Sequence, residues 1–135
     1  MQSMCRHFVL WLPFLCLAGC ATVNRDFALP YESVTQGLAA MEAQIRSRDS
    51  AGPERTRAVE LVPDQKYRLT ISEFADSPRS ERTILTATRM APSSTWVFVA
   101  AEQRDGWVLL TWPQPAQATA RLNQLAEILD TEKRK

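Results

Sequence analysis

From Arg57 to Trp112 the dominant repeat along the chain is two residues, and four clusters of turn-forming residues interrupt it. A period of two sends alternate side chains to opposite faces of an extended strand, so the region predicts β-structure. The breaks fall at Pro63-Asp64-Gln65, at Asp76 to Ser80, at Ala91-Pro92-Ser93-Ser94 and at Asp105-Gly106. They leave five strands, at 58–62, 66–74, 82–90, 95–103 and 107–112. Connections this short join neighbouring strands antiparallel, which gives an up-and-down meander. Asp105-Gly106 is the strongest turn signal, because a two-residue hairpin needs residues that tolerate positive φ. It predicts Arg104 opposite Trp107, Glu102 opposite Leu109 and Ala100 opposite Thr111.

On either side of this region the period lengthens. Val34, Leu38, Met41 and Ile45 step by four, three and four, so they line one stripe of a helix over about 34–48. Ser33-Val34-Thr35-Gln36 fits a capping box at its start, and Glu42 and Arg46 lie one turn apart on another face. Asp49 to Pro53 ends it. Beyond Pro113-Gln114-Pro115, the residues Ala118, Leu122, Leu125 and Leu129 repeat the same stepping, with Ile128 widening the stripe. Lys133-Arg134-Lys135 places cations at the end where the helix dipole favours them. The expected order is α-β-β-β-β-β-α: an α+β domain with a five-stranded antiparallel meander flanked by N-terminal and C-terminal amphipathic helices.

The N-terminus has a different logic. Met1 to His7 is short and weakly cationic, Phe8 to Leu17 is almost wholly apolar, and small residues follow at Ala18 and Gly19, the layout of an export signal. A helix needs about 20 apolar residues to span a bilayer, and this run is about half that with Pro13 inside it. Leu17-Ala18-Gly19-Cys20 resembles the lipobox of bacterial lipoprotein precursors: a branched apolar residue, two small residues and a cysteine. The resemblance covers about the first 20 residues. It implies that a signal peptidase recognises Leu17, Ala18 and Gly19 and cuts before Cys20. It also implies that Cys20 carries a diacylglycerol and an N-acyl chain, with palmitate a typical acyl group. Residues 1–19 are then a signal peptide, 20–30 a lipidated cysteine and short tether, and 31–135 one periplasmic domain. Two or more acyl chains make a lasting membrane anchor. In enteric bacteria an Asp after the Cys retains such proteins at the inner membrane. Here Ala21, Thr22 and Val23 follow, which implies an outer-membrane location.

Once residues 1–19 are set aside, composition excludes much. Cys5, Cys16, the sole His7 and Arg6 all lie there, so the rest has no His, one Cys and equal numbers of acidic and basic side chains. A nucleic-acid-binding stripe does not fit zero net charge. Triads that need His are ruled out, no Ser-x-x-Lys or Gly-x-Ser-x-Gly occurs, and Gly37, Gly52 and Gly106 stand apart rather than forming a phosphate cradle. The expectation is a non-enzymatic protein with no metal and no cofactor other than its lipid.

The last two strands single out one surface. Val97, Val99, Ala101, Val108, Leu110 and Trp112 form an apolar face expected in the core. Trp96, Phe98, Trp107 and Leu109 lie on the other face among Glu102 and Arg104, a mixture unlike an ordinary solvated strand face. Either a helix packs on each side, or the sheet curls over itself, or these four residues are a docking patch, since Trp, Phe and Arg are frequent interface anchors, or the hairpin has another register. Docking requires Trp96 and Trp107 to be substantially exposed. The leading functional expectation is an accessory or assembly lipoprotein docking onto an envelope protein complex. The alternative is a periplasmic inhibitor, immunity-type or small-ligand-binding lipoprotein.

Overall fold

The computed structural model describes residues 22–48, 54–73, 78–106 and 110–135. The elements are β1 (Thr22–Phe27), α1 (Tyr31–Arg48), β2 (Glu54–Val62), β3 (Lys66–Glu73), β4 (Arg79–Ala91), β5 (Ser94–Asp105), β6 (Leu110–Pro113) and α2 (Pro115–Lys133). The class is α+β, with two helices on an open antiparallel sheet of six strands ordered β1-β5-β4-β3-β2, and β6 also paired to β5.

The strands β2 to β6 follow one another as an antiparallel meander. The segment expected to be an irregular tether is different. Thr22 to Phe27 forms β1, with Thr22 opposite Ala100 and Phe27 opposite Thr95. Only six residues long, it gave too weak a sequence period to read. It is ordered by the free edge of β5, whose backbone donors and acceptors need partners.

The β5–β6 hairpin also departs from expectation. Asp105 lies opposite Leu110 and Arg104 opposite Thr111, so Asp105-Gly106 is not a two-residue turn. The reason lies on the other side of β5. Asp105 pairs with Arg79 of β4, and the Gly106 amide donates to the Pro78 carbonyl at 2.6 Å, so β5 extends into the expected turn. Gly106 does not take positive φ; among the described residues it is Asp64, in the β2–β3 turn, that does, at 57°. The new register moves Leu110 and Trp112 four positions along β5, beyond the helices. They are 52% and 43% exposed rather than core.

Both helices cover one sheet face. Leu69, Ile71, Leu85, Ala87, Val97, Val99 and Ala101 from the sheet pack with Val34, Leu38, Met41 and Ile45 of α1 and Ala118, Leu122, Leu125 and Leu129 of α2 in a single core. Both helical stripes are therefore as the spacing predicts. Among the described residues no helix packs on the other face. Helix α1 starts three residues before the expected position, directly after Pro30, whose carbonyl accepts from the Ser33 and Val34 amides. The Glu42–Arg46 pair forms at 2.7 Å, and Arg46 Nε also donates to Thr56 Oγ1 at 2.9 Å, tying α1 to β2.

The helices touch at Gly37. A Cβ there would lie 2.6 Å from Leu129 Cδ2 and 3.3 Å from Leu125 Cδ1. Glycine inside a helix costs about 1 kcal/mol relative to alanine, and here that cost permits close approach of α2. Gly37→Val is expected to lower unfolding free energy by about 1–3 kcal/mol through overpacking, measured by urea denaturation. A variant as stable as wild type would show that the two helices separate freely.

Candidate functional site

The face of the sheet away from the helices is built by the alternate set of strand residues. Asn24 and Asp26 of β1, Trp96, Phe98 and Ala100 of β5, and Ile84, Thr86 and Thr88 of β4 are neighbours there through the β1–β5 and β4–β5 registers. Trp96 lies across from both Asp26 and Thr88; Phe98 lies across from Asn24 and Thr86. The two rings stand 5.7 Å apart, tilted by 47°, a favourable edge-inclined arrangement. Each shields the other, so both are half-buried although neither described helix covers them. The exposure expected of a docking patch is thus partial at Trp96. Trp107 and Leu109 lie outside the described residues, as do Cys20 and its neighbours Leu17, Ala18 and Gly19.

Further along the same face the surface turns ionic. Arg82 of β4 and Glu102 of β5 sit directly across from each other and form an ion pair. With Ser72, Ser80, Glu81 and Arg104 they line a depression of about 190 Å³. Opposite charges on facing strand positions stabilise the pairing weakly, and at this exposure the ion pair contributes little beyond fixing the two side chains. The face therefore has an apolar half around Trp96 and Phe98 and a charged half around Arg82, Glu102 and Arg104. The sequence pattern placed Trp96, Phe98, Glu102 and Arg104 on one side of β5. It did not reveal Arg82 or Ile84 as their neighbours, because cross-strand register depends on turn geometry.

A second polar cluster lies at the opposite end of the sheet. Arg89 donates from Nε to the Asp64 carbonyl at 2.7 Å and from Nη2 to Glu32, and its guanidinium lies 5.2 Å from the centre of the Tyr31 ring. One arginine thereby clamps the β2–β3 turn to the first turn of α1. A backbone hydrogen bond and the Arg89 contact hold the Glu32 carboxyl below its usual range. Burial, with Glu60 and Asp64 adding to it and Arg89 opposing it, pushes the Tyr31 phenol up to about 12. The Tyr31 hydroxyl is buried without a hydrogen-bond partner. Sequence spacing gave no hint of this cluster, since Glu32, Asp64 and Arg89 meet only through the fold. Among the described residues no group of metal-ligating side chains forms, and no helix is long and apolar enough to cross a membrane.

Tyr31 sets an alkaline limit on stability. Its folded pKa lies above the unfolded value of about 10, so as pH rises the unfolded chain loses the proton first. The stability this group contributes is complete below pH of about 10 and is lost as pH rises toward 12. Tyr31→Phe removes both the titration and the stranded hydroxyl. Its melting temperature is expected to equal or exceed wild type at neutral pH and to fall less above pH of about 10. Thermal melts followed by circular dichroism check this, and an undiminished alkaline loss in the variant would place the effect elsewhere. No protein-family model matches the chain, and no curated protein matches it.

Proposed function

We propose that the protein is a non-enzymatic lipoprotein, anchored through acyl chains on Cys20 at the periplasmic side of the outer membrane. On this reading its folded domain is an accessory or assembly factor that docks onto an envelope protein complex. The observation that carries the docking part is the face of the sheet away from α1 and α2. There the Trp96–Phe98 pair and Ile84 adjoin the charged strip of Arg82, Glu102 and Arg104. Apolar anchors beside a polar rim are the usual composition of a protein-binding surface. The anchoring part rests on Leu17-Ala18-Gly19-Cys20 and the apolar run before it.

The depression lined by Arg82, Arg104, Glu81 and Glu102 is the feature that favours the other reading, an inhibitor or ligand-binding lipoprotein. At about 190 Å³ it lies below the usual range of small-molecule pockets, and Arg82 is already engaged by Glu102. A flat protein partner suits the face better.

Two experiments separate the parts of the proposal. Cys20→Ser is expected to abolish lipid labelling and leave the full-length precursor; normal mature protein from that variant rules out the lipobox reading. Cross-linking in membranes, followed by affinity capture of the lipidated protein, should recover an envelope protein. Trp96→Ala is expected to reduce that recovery by about tenfold or more while circular dichroism stays unchanged. Equal recovery with the variant would remove the Trp96 face from the interaction.

A further inference from the structure

Strand β6 is exposed along its whole length, with Leu110 and Trp112 presenting large apolar side chains to solvent. Its position relative to the chain's start gives these residues a meaning. β1 and β6 share one edge of β5 end to end: Thr22 lies opposite Ala100, and Pro113 lies opposite Glu102, two residues further on. At about 3.3 Å per strand residue, Thr22 and Trp112 are about 10 Å apart along the strand direction. Cys20 precedes Thr22 by two residues, a reach of at most about 7 Å. A lipid carried on Cys20 would therefore be held within reach of β6.

We infer that the β5–β6 end of the sheet rests on the lipid surface, with Leu110 and Trp112 seated among the headgroups and upper acyl chains. The inference rests on lipidation of Cys20 and extends it from an anchor to a defined orientation. Trp suits this depth because its ring is apolar and its N–H finds polar partners there. Two ion pairs lie nearby, Arg79 with Asp105 at 3.7 Å and Arg121 of α2 with Glu73 of β3 at 2.7 Å. Approach to lipid strands neither pair. Arg104 is exposed at the same end and can meet a lipid phosphate. A further apolar group, Leu61, Val62 and Met90, lies at the far end of the sheet. The 12 residues of β5 put that end about 36 Å away, out of contact with the same membrane.

The test uses the full-length protein, purified from bacterial membranes and reconstituted in phosphatidylethanolamine/phosphatidylglycerol vesicles with acyl chains brominated near the headgroup. In a Trp96→Phe, Trp107→Phe protein cut before Cys20, Trp112 is the sole tryptophan. Its emission is expected to fall at least twofold relative to unbrominated vesicles. A Leu110→Cys protein with an environment-sensitive dye on that thiol reports the same contact without altering tryptophan, and a blue shift on reconstitution is expected. Mass spectrometry of the N-terminal peptide establishes whether Cys20 is acylated. An acylated protein with neither quenching nor blue shift overturns this inference and leaves anchoring intact. Shielding of the Leu110→Cys thiol in whole membranes, with neither response in pure lipid, also overturns it and assigns the surface to a protein. A Cys20 without lipid overturns the anchoring reading, and this one with it.

Discussion

Both edges of β5 carry backbone donors and acceptors along 12 residues, and a strand this deep in a sheet cannot leave them unpaired without a penalty of about 1–3 kcal/mol per buried group. β4 satisfies one edge alone. The other is divided between β1 and β6, strands from opposite ends of the folded region. Around this double pairing Val97 and Val99 lose all contact with solvent, and both helices pack on the side chains that β5 sends to their face. The location of Thr22 next to β6 and the exposure of Leu110 and Trp112 follow from how β5 is paired.

One-sided coverage explains the uneven chemistry of the two sheet faces. On the helix side, Leu69, Leu85, Val97 and Val99 are entirely buried, each contributing about 1.5–3 kcal/mol of transfer free energy. On the other side, among the described residues, Trp96 and Phe98 have each other and their strand neighbours. Threonines at 86 and 88 and the Arg82–Glu102 pair complete that surface, so it is stable in water yet retains apolar area. Ion pairs do their structural work at the margins: Arg89 locks a turn to α1, and Arg121 holds α2 to the end of β3.

Much of this fold was legible in the sequence, for reasons that differ between elements. The stepping of Val34, Leu38, Met41 and Ile45, and of Ala118, Leu122, Leu125 and Leu129, identified both buried stripes because helical periodicity is local and each helix buries one face. Alternation likewise assigned Trp96 and Phe98 to one side of β5 and Val97 and Val99 to the other. What was hidden depends on distant partners. β1 has few residues and takes its strand form from the edge of β5. The hairpin register turned on the Arg79–Asp105 and Pro78–Gly106 contacts, which compete with the local preference of Asp-Gly for a tight turn. Of the candidate patch, the aromatic pair was readable while Arg82 and Ile84 were not, since nothing in a single strand names its neighbour.

The division of one edge between β1 and β6 also orders events in time. The strands from β2 to β6 each pair with the next along the chain, so they assemble by successive hairpins with short loops to close. β1 must find β5 across α1 and three intervening strands, a contact with a far larger loop-closure cost. Loop closure alone therefore favours its docking after β5 has paired. If Cys20 carries the proposed lipid, β1 is the strand through which a pull from the membrane would reach the sheet, and it would be the first to peel away.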